Sequence, residues 1–399
     1  MPVLFQINVA ANWGSHGRIA EEIGEMAMAQ GWESYIAYGR YANPSKSYLL
    51  KIGSSFDHYL HGMQSMLFDR HGLGSTSATW KLIREIEWIG PDIIHLHNIH
   101  GYYLNYPILF QYLSELKTPV VWTLHDCWPI TGHCAFFTYA NCDRWKTGCH
   151  HCPCKKNYPS SLFMDRSEGN YDLKKRSFTS VNNLTLVPVS EWLDRLLDDS
   201  FLKEIPRKCI HNGIDTEVFH ADDSLRTFCQ GRKVVLGVSN LWEPRKGLRD
   251  FLALRSMLGS DYVIVLIGLN KKQIASLPEG VIGMERTDNL QQLVHYYSRA
   301  DVFVNPTYED NFPTTNLEAL SCGTPVVTYC TGGSPEAVDD TTGAVIPCGD
   351  VRSLAECIET ICHAPHQEVR SEACRQRVEN NFCKNDRYQE YLALYDSLL

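Results

Sequence analysis

No apolar run in this 399-residue chain approaches about 18 residues, so nothing in it reads as a membrane span. The opening stretch, MPVLFQINVAANWG, lacks the basic start, long apolar centre and small-residue cleavage site of a signal peptide. Positive charge is scarce. The 37 Lys and Arg stand against 46 Asp and Glu, for a net charge of −9. That balance argues against nucleic acid as a partner, because such binding needs a basic face that displaces counterions. The run Lys174, Lys175, Arg176 is the one local basic cluster singled out, and it fits a solvated helix face. Repeats and low-complexity tracts are missing too. Cysteine is plentiful. Fifteen is an odd number in a chain without an export signal, so most read as reduced thiols of a cytoplasmic protein.

The length suits two domains of ~150–200 residues. Apolar strand patterns alternate with helical ones: 3–10, 34–39, 92–98, 119–126, 184–190 and 208–215 read as strands, with helices at 18–31 and 106–116. The pattern restarts at 233–240 and continues through 262–269, 280–285, 301–307, 325–330 and 343–348. Near-continuous apolar strands separated by helices predict an α/β fold with two doubly wound parallel sheets. The expected domains are 1–219, with a cysteine-rich insert at 127–154, and 220–382, joined through the polar stretch 220–232. A final amphipathic helix at 383–399 is expected to pack back toward the first domain. A ligand cleft is expected where two such sheets face each other.

The stretch NPTYEDNFPTTNLEALSCGTPVVTYCTGGSPE (305–336) runs from a strand end into a helix expected to start near Thr314 or Thr315. Threonine is a suitable N-cap, and first-turn N–H groups hold phosphates. Asp310 precedes the helix, and Glu318 lies eight residues on, one turn inside it. Carboxylates so spaced can grip hydroxyls at both ends of an elongated ligand with a phosphate between them. The spacing also fits a capping aspartate and a surface glutamate.

With DNFPTTNLEALSCGTPVV and GGSPE, the chain resembles retaining GT-B-fold glycosyltransferases of family 4, whose signature is an acidic residue, Gly-Phe-Gly and a glutamate eight positions after the first. CIHNGIDTEVF (209–219), VSNLWEPRKGL (238–248) and CGDVRSLAECI (348–358) extend the likeness over nearly the whole chain. The resemblance implies two Rossmann-like domains and a UDP- or GDP-sugar donor. Asp310 would bind sugar hydroxyls and Glu318 the ribose. Asn311, Phe312, Thr314, Thr315 and Asn316 would meet the sugar and diphosphate, and Lys246 would neutralise the leaving diphosphate. Asp stands for the first Glu, and Asn311 and Pro313 replace two loop glycines; Pro313 also removes an N–H. The family's diphosphate-binding Arg is missing at Asn240 or Leu241, and Arg245 is assigned its charge instead.

NWGSHGRIAEEI (12–23) reads as a glycine-rich loop opening a helix, where Gly14, Ser15 and Gly17 let backbone approach a diphosphate. His125 and Asp126 close the strand at 119–126, and the resemblance puts His125 near the reacting sugar. His97 and His100 end the neighbouring strand and fit either an acceptor pocket or a polar loop. The resemblance further implies front-face retaining transfer of a hexose-type sugar without a catalytic metal. The acceptor would be a glycan or lipid-linked oligosaccharide of surface polysaccharide biosynthesis, with peripheral contact at the cytoplasmic face of an inner membrane.

The window 132–154, GHCAFFTYANCDRWKTGCHHCPC, packs five cysteines. Cys134, Cys142, Cys149 and Cys152 have the spacing C-x7-C-x6-C-x2-C, which fits a closed structural zinc site. His133, His150, His151 or Cys154 are possible substitutes as ligands; free thiols or a redox pair are the alternatives. Phe136, Phe137, Tyr139 and Trp145 fit a mini-core around the metal or an apolar surface for acceptor or membrane. Rival readings of the whole chain are a non-catalytic sugar-nucleotide-binding or scaffold protein and an epimerase or phosphorylase on the same fold. Lys246, Asp310 and Glu318 together weigh against them.

Overall fold

The computed structural model describes residues 1–221, 231–365 and 367–399. Most of the expected linker at 220–232 lies outside the described residues. The chain forms two compact units, Met1–His211 with Arg387–Leu399, and Asn212–Asp386.

The first unit runs β1 (Val3–Ala11), α1 (Gly14–Ala29), β2 (Glu33–Ala42), β3 (Tyr48–Lys51), α2 (Ser55–Phe68) and α3 (Thr76–Ile89). It continues with β4 (Ile93–Leu96), α4 (Tyr106–Glu115), β5 (Val120–Leu124), α5 (Ser167–Phe178), β6 (Leu184–Pro188) and α6 (Glu191–Asp198). The six strands pair in parallel in the order β3-β2-β1-β4-β5-β6. Both faces are covered. Phe5, Ile94 and Trp122 belong to one core cluster, and Leu4, Ile93 and Val121 to another. Apolar side chains on both faces explain why these strands read as unbroken apolar runs.

The second unit runs β7 (Lys233–Val238), α7 (Leu248–Arg255), β8 (Tyr262–Ile267), α8 (Lys271–Ala275), β9 (Val281–Met284) and α9 (Leu290–Arg299). Then come β10 (Val302–Asn305), α10 (Thr314–Ser321), β11 (Val326–Tyr329), β12 (Gly343–Ile346), α11 (Val351–His363), α12 (Gln367–Asn381) and α13 (Lys384–Leu398). Its sheet, β12-β11-β10-β7-β8-β9, is also parallel throughout. Counted within each unit, both sheets follow 3-2-1-4-5-6. The order reverses between β1 and β4 and between β7 and β10, and ligands of such sheets bind beyond the strand C-termini at that reversal.

Most of α13 belongs to the first unit. Tyr388, Tyr391 and Tyr395 are buried beside Leu4 and Ile93, and the Tyr395 hydroxyl lies 2.6 Å from His95 Nδ1. Two expectations change. Residues 208–215 form no strand. Lys208 and Ile210 donate to the carbonyls of Leu186 and Pro188, but the pairing shrinks to an isolated bridge. The glycine-rich segment after β1 is not a loop; it is the first turn of α1, which begins at Gly14 with φ +67°.

Candidate active site

In the second unit the polar residues gather beyond β7 and β10. Arg245 and Lys246 lie in a single helical turn after β7, and Asp310 lies in the loop after β10. Lys246 Nζ and Asp310 Oδ2 are 2.5 Å apart, each side chain one-fifth exposed. Backbone packing sets this pairing. Gly247 has φ +75°, and a Cβ there would stand 2.2 Å from the Pro306 carbonyl oxygen. Arg245 is built into the same junction. Its carbonyl accepts from the Tyr308 N–H at 2.8 Å, and its guanidinium donates to the Glu309 carbonyl and the Glu243 carboxylate. Asp250 of α7 completes the brace, with Oδ2 accepting from the hydroxyls of Tyr308 at 2.8 Å and Tyr329 at 2.9 Å.

α10 starts at Thr314, but its N-cap is Pro313, which supplies no side-chain acceptor. The expected threonine cap is therefore absent, since Thr314 and Thr315 are already helical. An uncapped first turn directs its N–H groups outward, toward an anion. Asn311 and Phe312 are buried, and Asn316 Oδ1 accepts from Asn305 Nδ2 at 2.8 Å. Glu318 is 4% exposed; Tyr297 donates to its Oε2 at 2.8 Å, and Thr314 Oγ1 lies 3.4 Å from Oε1. The following Gly-Gly pair closes on the same loop: a Cβ on Gly332 would meet the Asp310 carbonyl oxygen at 1.8 Å, and the Gly333 N–H donates to the Asn311 carbonyl.

In the first unit the residues beyond β1, β4 and β5 are histidines. Gln6 Nε2 donates to the Ala20 carbonyl, so its Oε1 accepts from His97 Nε2 at 3.0 Å. His97 Nδ1 is then the acceptor, and it faces His125 Nε2 at 3.2 Å. This chain fixes His125 with its proton on Nε2 and a lone pair on Nδ1. Burial, then the His97 and His16 rings, holds His125 well below the usual imidazole range. Burial lowers His16 to about 4. Beside them His100 bridges Asp126 Oδ2 at 2.8 Å and the Tyr158 hydroxyl at 3.0 Å. Burial alone would raise Asp126, but His100 and the Trp128 N–H hold its carboxyl below the usual range. Gly17 packs against the Ala10 carbonyl, and Gly14 and Ser15 are the first two residues of α1.

Sequence comparison decides the family. Residues 16–218 match the profile described as Glycosyltransferase Family 4, and residues 232–364 match Glycosyl transferases group 1. The chain belongs to glycosyltransferase family 4. It is similar to the putative colanic acid biosynthesis glycosyl transferase WcaC of Escherichia coli (strain K12), at 26% identity over 371 residues, spanning 88% of this chain and 89% of that one. A 31% identical match over 108 residues, 27% of this chain and 28% of the relative, is to the capsular polysaccharide biosynthesis glycosyltransferase CapM of Staphylococcus aureus. In fold it matches the sucrose-phosphate synthase of Thermosynechococcus elongatus, with TM-score 0.74 and 17% identity over 100% of this chain and 99% of that one. It also matches Anabaena HepE, solved with UDP and glucose, with TM-score 0.69 and 15% identity over all of both chains. The two parallel-sheet units are those of the GT-B fold.

The cysteine-rich insert of this family 4 glycosyltransferase departs from expectation. Structural zinc on Cys134, Cys142, Cys149 and Cys152 is not supported: among the described residues no three His, Cys, Asp or Glu side chains are arranged to hold a metal ion. The thiols have other partners. Cys134 is hydrogen-bonded to Cys152 and Cys154, Cys149 accepts from the Gly132 N–H at 3.1 Å, and Cys142 takes the Arg144 N–H. Packing gives the insert its shape instead. Phe137 and Trp145 stack at 5.0 Å and join the main core of the first unit, while Tyr139 is exposed. Lys174, in the run read as a solvated face, is 2% exposed; its ammonium donates to the carbonyls of Trp128 and Thr131 and sits 3.5 Å from the Trp128 ring centroid. His133 Nδ1 lies 2.6 Å from Asp69 Oδ1, tying the insert to the end of α2. Sequence reasoning missed Gln6, His16 and Tyr158. A glutamine inside the apolar run VLFQINVA is the one local signal that something there must be hydrogen-bonded.

Proposed function

We propose that this glycosyltransferase moves a hexose-type sugar, with retention, from a UDP- or GDP-sugar to a glycan or lipid-linked oligosaccharide acceptor in surface polysaccharide biosynthesis. The observation that carries the reading is the Lys246–Asp310 pair beside the uncapped start of α10, at the strand-order reversal of the second unit. A cation and first-turn N–H groups suit a diphosphate, and a carboxylate suits sugar hydroxyls. The names of WcaC, CapM and HepE support a polysaccharide product and a nucleotide-linked donor.

In this mechanism Lys246 and the α10 N-terminus take up charge as the sugar–phosphate bond breaks. Arg245 holds the loop that carries Asp310. Asp310 accepts from sugar hydroxyls, and Glu318 offers Oε1 to the ribose while Tyr297 keeps Oε2 in place. Asn311, Phe312, Thr315 and Asn316 shape the floor of the donor site. The leaving phosphate oxygen takes the proton of the acceptor hydroxyl, so no protein nucleophile and no divalent ion is required by the charge balance. The first domain, through His125, His97 and the turn at Gly14, Ser15 and Gly17, serves the acceptor and the reacting sugar. A lipid-linked acceptor brings the enzyme to the cytoplasmic face of a membrane by peripheral contact.

The test is a panel of UDP- and GDP-sugars incubated with the purified chain and fractionated membrane glycolipid. Release of nucleoside diphosphate with a product that keeps the donor's anomeric configuration is expected. Inversion, or tight donor binding without release, overturns the reading.

A further inference from the structure

Helix α2 is docked inside out. The residues it buries are His61 and Ser65, both polar. His61 Nε2 accepts the N–H groups of Gly72 and Gly74, so its Nδ1–H donates to Ser75 Oγ at 2.9 Å. His58 adds a contact at 2.8 Å to the Ile52 carbonyl. The apolar residues Phe56, Tyr59, Leu60, Met63 and Leu67 fall at i, i+3, i+4, i+7 and i+11, a single helical stripe. Its first half is open to solvent, with Phe56 71% and Tyr59 67% exposed and Leu60 also exposed, while Met63 and Leu67 are half-buried. Amphipathic helices of a water-soluble unit normally present the reverse.

A second apolar projection continues the stripe. The Leu162 N–H donates to the Met66 carbonyl at 2.8 Å, which seats Leu162, Phe163 and Met164 against the end of α2. All three are exposed, Phe163 by 72%. The same loop carries Lys155 and Lys156. Lys155 Nζ reaches the Phe163 carbonyl at 3.4 Å, and Lys156 is exposed. The nearby carboxylates, though at the surface, are held by the chain itself: Asp57 is engaged by the N–H and hydroxyl of Ser54, and the exposed Asp165 by the N–H groups of Cys152 and Ser167. On a chain of net charge −9, this apolar face with lysines at its margin is a local exception.

We propose that the outer face of α2, with Leu162, Phe163 and Met164, docks this enzyme on an anionic lipid bilayer. The apolar stripe enters the boundary between headgroups and acyl chains, and Lys155 and Lys156 meet lipid phosphates. No helix among the described residues is long and apolar enough to cross a membrane, so the contact is peripheral. The proposal rests on the reading that the acceptor is carried by lipid, and it names the surface that reaches it.

The test is co-sedimentation of the full chain with vesicles of phosphatidylglycerol and phosphatidylcholine, and with phosphatidylcholine alone. Wild type should pellet with the anionic vesicles and weakly with the neutral ones. Phe56→Ser with Leu60→Ser, and separately Lys155→Glu with Lys156→Glu, should each weaken binding by about tenfold or more. Trp88→Ser, an exposed residue outside the stripe, should bind as wild type. Donor hydrolysis without acceptor should be unchanged in all three variants, which shows that they fold. Failure of wild type to pellet with anionic vesicles overturns the proposal. So does wild-type binding by both double variants, or a wild-type dimer that Phe56→Ser with Leu60→Ser dissociates. A chain that binds vesicles but turns over no sugar nucleotide loses the transferase reading and keeps this surface.

Discussion

The two units share one strand order and place their polar residues at the same reversal, yet they build those sites from opposite materials. In the second unit the components are charged: an ammonium, two carboxylates and a helix end. In the first, burial holds His97 and His125 well below the usual imidazole range, and hydrogen bonds link them to each other and to a glutamine. A charged site answers charge that develops during bond cleavage, whereas neutral donors and acceptors recognise hydroxyls without needing a counterion. Under the proposed function, the difference suits the second unit to a leaving diphosphate and the first to an uncharged partner.

Acid should separate the units most strongly. Burial lowers His95 to about 3 and His16 to about 4, from about 6.5 when unfolded. The unfolded chain therefore binds more protons as pH falls. Stability of the first unit is intact above pH ~6.5 and declines toward pH ~4, by on the order of 3 kcal/mol for a fully buried imidazole such as His95. In the second unit the lowered groups are carboxylates, Asp215, Asp339 and Asp350, whose contributions disappear only below about 3.8. Hydrogen exchange should show β4 and β5 losing protection between pH 6.5 and 4 while β7 and β10 keep theirs. Parallel loss in both sheets would erase the contrast.

Gly247→Ala should act on the second unit alone. The added Cβ meets the Pro306 carbonyl in a left-handed backbone, and a cost of about 2–3 kcal/mol is expected. Denaturant unfolding that finds the second unit's midpoint unchanged would show that this junction is looser than described. The smallest effect sharpens the role of the first unit. Gln6→Leu removes the partner that sets the His97 and His125 protons, at about 1–3 kcal/mol, which is on the order of tenfold in acceptor-dependent transfer. Donor hydrolysis without acceptor should hold. An equal fall in both reactions would make Gln6 merely structural.

The same contrast governs how much could be read from the sequence. Most strands of both sheets were legible because burial on two faces writes itself as unbroken apolar runs, whereas the edge strand β3, partly exposed, gave no such run and went unread. Asp310 and Glu318 stand out in the sequence because both lie around one helix start, whereas Lys246, far from them in the chain, is singled out only by the family resemblance. The histidine chain was not legible, because Gln6 in β1, His97 just past β4 and His125 just past β5 are far apart in sequence and meet only in the fold. Lys174 looks like its solvated neighbours Lys175 and Arg176 until α5 packs it under Trp128. Four cysteines at metal-like spacing were read as ligands, but spacing says nothing about where thiols point. Here they turn to one another and to backbone N–H groups. The outward stripe on α2 carries the ordinary period of a buried helix, and only the polar clasp of His61 reverses it.

The most direct test of the charge assignment is donor turnover by Lys246→Ala. With saturating sugar nucleotide, nucleoside diphosphate release should fall at least about 100-fold, the scale of losing one preorganised charge beside a leaving group. Release within a few-fold of wild type would contradict the account.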